Sequence, residues 1–183
     1  KVNAKTKEVI SETDLSDLYL AMQSFAAISP ENFNIEGVAY TGESWYFFNR
    51  GNGSSGKNIV FTIQGKNLID DFSIIFSELK LPKIKGVRTG FTDAVHVNDK
   101  LYFLAAAENT TSTYNDGAVL GSVIGCIDIE KMKVDFTRKI TDTHKFEGLT
   151  LYRQSADDIT FLLCEDNDTD KLQADIYQLS LKK

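Results

Sequence analysis

Three acidic residues recur at matching places along the chain, and they are the side chains best suited to chemistry. Glu36 opens Glu-Gly-Val-Ala-Tyr, Asp93 opens Asp-Ala-Val-His-Val, and Glu147 opens Glu-Gly-Leu-Thr-Leu. Carboxylates brought together repel one another unless a cation or a basic side chain joins them, and hard oxygen ligands favour calcium or magnesium. Further polar residues follow each acid: Asn49, Arg50 and Asn52, then Glu108 and Asn109, then Glu165 and Asp166. Glu36, Asp93, Glu147, Glu165 and Asp166 are thus the candidate ligands for calcium or another divalent cation. Asn52, Asp93, Glu108 and Asn109 are candidate contacts to a bound molecule. Arg50 would either pair with the carboxylates or grip an anionic substrate bidentately. Glu36, Glu147 and Arg50 are the candidate catalytic residues, beside a cation that polarises the scissile group and lowers the pKa of bound water. The structural alternative is that each acid accepts backbone N–H bonds at a strand entrance, since ionisable clusters are often structural.

Other motifs carry less. Gly51 to Lys57 has the outline of a phosphate-binding loop, but Asn58 stands where Ser or Thr should ligate magnesium. The residues after it read as a strand, where such a loop needs a helix N-terminus. Asp166-Asn-Asp-Thr-Asp170 begins like a calcium loop, yet Lys171 replaces the required Gly and Tyr177 the bidentate Glu, leaving a solvated acidic turn. His96 and His144 lack metal-protease context, and no Gly-x-Ser-x-Gly elbow occurs. Cys126 and Cys164 sit inside apolar runs and are expected to be free, buried thiols. The sequons at Asn52, Asn109 and Asn167 matter only in a secreted eukaryotic protein.

The elements that must position the acids are hairpins. Each acid begins a short apolar strand that turns on polar residues into a second: Trp45-Tyr-Phe-Phe-Asn-Arg, Leu101-Tyr-Phe-Leu-Ala-Ala-Ala, Ile159-Thr-Phe-Leu-Leu-Cys. Further strands follow, and the copies recur about every 55 residues, close to the four-stranded blade of a β-propeller. Trp45, Tyr102 and Phe161 fall at matching positions and should lie within or between sheets. The fold expected is all-β: about three four-stranded antiparallel blades, part of a six-bladed ring, behind a short helix over Asp14 to Ala26. Residues 1–32 would end a preceding blade and carry the helical connector. Blades would span 33–85 and 86–142, with an incomplete one at 143–183. Three blades are too few to close a ring, so the missing blades or a second chain would be needed. A β-sandwich is the alternative fold. In a propeller the first strand of each blade lines the central channel, which would bring Glu36, Asp93 and Glu147 to one mouth.

The Glu-Gly-aliphatic hairpins, Asn34-Ile-Glu-Gly-Val-Ala with Phe-Phe-Asn-Arg and Phe146-Glu-Gly-Leu-Thr-Leu with Phe-Leu-Leu-Cys-Glu-Asp, resemble those of phytase-like and SdiA-regulated-like β-propellers. More closely they resemble an uncharacterised bacterial propeller family related to these. The resemblance implies rim carboxylates that hold calcium, and a metal-assisted phosphoester or ester hydrolase. Glu36, Glu147, Glu165 and Asp166 match that pattern by residue type. The other reading is a non-catalytic propeller that binds a small molecule or protein partner through the same rim.

Composition narrows the partners. At 183 residues the chain is long enough for one domain with a sizeable core. A net charge of −6 and a pI near 5.0, with no dense Lys/Arg cluster, argue against a nucleic-acid surface. No apolar run approaches the roughly 20 residues needed to cross a bilayer. A soluble protein is expected, cytoplasmic or extracytoplasmic.

Overall fold

The computed structural model describes residues 1–52, 56–65, 68–69, 71–109, 117–166 and 174–183. Alternating apolar residues punctuated by Gly, Asn and Asp form three antiparallel sheets whose strands follow chain order. The first holds β1 (Ile35–Tyr40), β2 (Ser44–Asn49), β3 (Ile59–Gly65) and β4 (Phe72–Glu78). A two-stranded hairpin, β5 (Lys83–Ile84) and β6 (Val87–Arg88), replaces the plain loop expected after it. The second sheet holds β7 (Gly90–Val97), β8 (Lys100–Glu108), β9 (Val119–Asp128) and β10 (Lys133–Thr141). The third has β11 (Phe146–Gln154), β12 (Asp158–Glu165) and β13 (Ile176–Lys182).

These sheets stack face to face, with β1 against β7 and β7 against β11, as the innermost strands of neighbouring blades would. The stack is blade-like and open rather than a closed ring. Side-chain alternation along each strand explains the stacking, because successive residues face opposite neighbours. Between the first two sheets lie Ala39, Tyr46, Phe48, Val60, Phe91, Leu101 and Phe103, all buried. Phe91 meets Phe48 and Phe103 edge to face, each with ring centroids 5.1 Å apart. Between the second and third lie Val97, Leu104, Ile124, Phe146, Leu149 and Phe161. Tyr102 packs on Phe161 with centroids 5.0 Å apart, so both sit between these sheets as expected.

The opposite face of the first sheet is closed differently. Helix α1 (Ser16–Ala26) lays Leu18, Met22 and Ala26 on Phe47, Ile59, Phe61 and Ile63. The helix begins two residues later than the sequence suggests, because Asp14 accepts hydrogen bonds from the Ser16 N–H and hydroxyl at 2.9 and 2.6 Å. Ahead of it, Val2 and Val9 form one antiparallel bridge, the strand–turn–strand outline expected for the first residues. Trp45 is half-buried beside the helix. Cys126 is buried, Cys164 half-buried, and both are free.

Candidate functional site

Each innermost strand carries an irregularity at its entrance: the register shifts between Ile35 and Gly37, between Phe91 and Asp93, and between Phe146 and Gly148. A bulge adds an unpaired residue and re-aims its side chain. The extra residues are Glu36, Thr92 and Glu147. This corrects the alignment of the second copy by one position: Thr92, not Asp93, is the counterpart of Glu36 and Glu147. A one-residue slip sends a strand side chain to the opposite face, and Asp93 accordingly serves another purpose. Its Oδ1 accepts from the Ala94 N–H at 2.7 Å and its Oδ2 from the Leu149 N–H at 2.6 Å, fastening the second sheet to the third. Burial raises the Asp93 carboxyl above its ordinary value, against the opposing pull of those two N–H groups. Thr92 adds a second fastening, its hydroxyl donating to Phe146 O at 2.7 Å.

Glu36 and Glu147 meet at Arg50, and Glu147 also meets Lys145. Arg50, just past β2, places Nη2 2.7 Å from Glu108 Oε2 and Nη1 3.4 Å from Glu36 Oε1 and 3.7 Å from Glu147 Oε1. Lys145, just before β11, lies 3.0 Å from Glu108 Oε1 and 3.1 Å from Glu147 Oε1. The Lys145–Glu108 contact is a close buried ion pair. Arg50, Glu108, Lys145 and Glu147 therefore close a ring of alternating charge that joins all three sheets. The side chains of Arg50, Glu108 and Lys145 are 5, 3 and 4 % exposed, whereas Glu36 and Glu147 are 24 and 26 % exposed. The cations and Glu108 form a buried floor, and the other two carboxylates reach solvent above it.

Local sequence makes this floor possible. Asn49 Oδ1 accepts from the Asn34 N–H and Arg50 N–H donates to Asn34 O, at 2.9 and 2.8 Å, so the strand end carrying Arg50 is fixed to the strand start carrying Glu36. Gly90 leaves space for the arginine stem, because a Cβ there would lie 2.7 Å from Arg50 Cγ. Burial would lower the Lys145 ammonium, but Glu108 and Glu147 outweigh it and hold it above its ordinary value. Burial raises the Glu147 carboxyl, against Lys145 and Arg50, and Asp166 adds to the rise.

The remaining candidates are scattered. Asn109 is exposed, and its N–H donates to Ala118 O. Asn52 is half-buried with an unpaired Oδ1. Glu165 faces a different group: its Oε1 lies 2.8 Å from His144 Nδ1 and its Oε2 accepts from the Tyr177 hydroxyl at 2.9 Å. Asp166 donates its N–H to Lys145 O, and the rest of its acidic turn, 167–170, lies outside the described residues. Among the described residues, no three of the His, Cys, Asp and Glu side chains form a group that could hold a metal ion. The phosphate-loop outline ends in strand β3, and the Gly51 N–H donates to Asn58 Oδ1. Sequence reasoning missed Lys145, and it weighed His144 only as a metal-protease ligand. Alternation could have found the lysine, since it lies two residues before Glu147 and so shares its face.

A stack of β-blades with a charged cluster at the entrances of its inner strands is the class that fold and site define. The chain belongs to DUF6929, a family of unknown function, which it matches over residues 1–181. Among solved structures it is similar to apo AztD from Citrobacter koseri, at 11 % identity and a TM-score of 0.26, over 82 % of this chain and 51 % of that one. The chain thus spans about half the length of that relative. No curated protein matches. Among the described residues no helix is long and apolar enough to cross a membrane.

Proposed function

We propose that this chain is the ligand-recognising part of a β-propeller, and that it binds a small polar molecule at Glu36 and Glu147. One observation carries the reading: these two carboxylates from different sheets stand partly open to solvent on a floor of buried Arg50 and Lys145. Fixed charges set in place before binding do not pay for rearrangement when the ligand arrives. The named groups hold one carboxylate more than they hold cations, so the mouth favours hydrogen-bond donors such as polyols or primary amines. A divalent cation at this mouth, as the family resemblance implies, would have to draw Glu36 and Glu147 away from Arg50 and Lys145.

The test is chemical-shift mapping of labelled protein against polyols, primary amines and calcium. Shifts centred on Glu36, Arg50 and Glu147, lost in Glu36→Gln and Glu147→Gln, support the proposal. Saturable calcium binding that depends on the same two residues replaces it with the metal-assisted hydrolase. Shifts that survive both substitutions sink it.

A further inference from the structure

The largest of the described cavities, about 540 Å³, lies away from the charged mouth, on the helix-covered face of the first sheet. Register explains how it arises. Tyr40 pairs with Trp45 and Val38 with Phe47 across β1 and β2, so all four side chains share one face. Helix α1 packs in one cluster with Phe47, the strands beyond it and Ile35 at the start of β1, but Val38 and Tyr40 lie outside that cluster. Val38 and Tyr40 are left 42 and 48 % exposed. Tyr19 and Leu15 from the start of the helix wall one side, and Leu68 from the turn after β3 walls another.

We infer that this cavity is a binding site for an uncharged, flat, ring-bearing small molecule. Three observations select that chemistry. Tyr40 and Trp45 are stacked, with centroids 4.4 Å apart and planes at 28°, giving an aromatic wall that a further flat ring can extend. Among the described residues, none of the ten that line the cavity is charged, so these walls offer a charged ligand no partner for its lost hydration. The volume fits the range of small-molecule sites, about 300–1,000 Å³. A protein partner would need a face of about 20–30 residues, far more than line this hollow.

Trp45 is the chain's single tryptophan, and it supplies the readout. The probe is neutral N-phenyl-naphthylamine, titrated into the purified chain with excitation of Trp45 and detection of the probe's emission. Saturable energy transfer from Trp45 with one probe per chain is expected. The anionic sulfonate of the same ring system should bind at least about tenfold more weakly. Val38→Arg places a charge at an already exposed position and should abolish the transfer while leaving the melting temperature unchanged; Tyr40→Leu should weaken binding at least about tenfold by removing the stack. Equal binding of the sulfonate, transfer that persists in Val38→Arg, or no saturable transfer would overturn the inference. Sedimentation that reveals a dimer dissolved by Val38→Arg would overturn it too, assigning the hollow to a second copy. None of these results depends on Glu36 or Glu147, so this site and the charged mouth stand or fall separately.

Discussion

Glu108 has an oxygen for each of two buried cations, Arg50 at 2.7 Å and Lys145 at 3.0 Å, and that double duty sets its value. Removing its charge would leave two buried cations with only the more open carboxylates, Glu36 and Glu147, for partners. Breaking a buried pair costs about 3–5 kcal/mol, because the remaining charge is left uncompensated. Glu108→Gln should lose stability of that order in urea unfolding followed by Trp45 fluorescence. Glu36 presents the contrast. It is partly open and only 3.4 Å from Arg50, so Glu36→Gln should cost no more than about 1 kcal/mol, the range of exposed pairs. The two substitutions separate the buried floor from the open carboxylate proposed to meet a ligand. The acids of this site were legible in the sequence because they repeat. Its cations were less so: Arg50 was visible as a strand-end residue, whereas Lys145 precedes its hairpin and has no counterpart in the other copies.

At the level of elements, the central sheet depends on one close approach. Gly125 in β9 is paired with Phe103 in β8, and a Cβ at Gly125 would run into the Phe103 ring. Overpacking of this kind costs about 1–3 kcal/mol, so Gly125→Ala should lower the urea midpoint accordingly, and Phe103→Leu should recover part of the loss. The outer part of the same sheet carries a charge-sensitive contact. Lys100 on β8 lies 2.9 Å from Asp128 on β9 and 2.6 Å from Asp135 on β10. The Lys100 bond, then the Lys131 N–H, hold the Asp128 carboxyl below its ordinary 3.8. A carboxyl lowered by folding contributes stability that is present above its unfolded value and is lost as pH falls through the folded one. Asp128→Asn should therefore lower the melting temperature at neutral pH, and the difference from the parent should shrink as pH falls below about 4. The strands themselves were legible from period-two alternation and turn residues. The β5–β6 hairpin was not taken up, although Lys85-Gly86 between Ile84 and Val87 has the two-residue turn form, with both φ values positive at 50 and 87°. The bulges were illegible for a different reason. A bulge is defined by which residue opposes which across two strands, and a single strand's pattern does not hold that information.

For the whole molecule, the question is what makes stacked sheets unfold together. The first two share an aromatic core, while the second and third are joined also by Asp93, Thr92 and the charged ring. Asp93 bonds to backbone groups of both sheets, so Asp93→Ala should loosen the third sheet preferentially. Hydrogen exchange in β11 to β13 should then accelerate relative to β1 to β4. In the parent protein, Trp45 emission and far-ultraviolet dichroism should report coincident transitions, as cooperative unfolding requires. Uniform acceleration across all three sheets in Asp93→Ala would count against this division. The repeat spacing made the stacking legible from sequence. The fastening was not, because a one-residue shift assigned Asp93 to the mouth.

The bulges also separate inheritance of shape from inheritance of chemistry. At the entrances of β1, β7 and β11, residues 36, 92 and 147 are passed over by the regular pairing with the neighbouring strands. Glu36 and Glu147 are partly exposed, so a mutation at either changes what the mouth displays while the pairing on either side continues, whereas Thr92 is buried and holds the second sheet to the third. The face of the rim can therefore be rewritten through two codons, with the blades serving as a fixed mount.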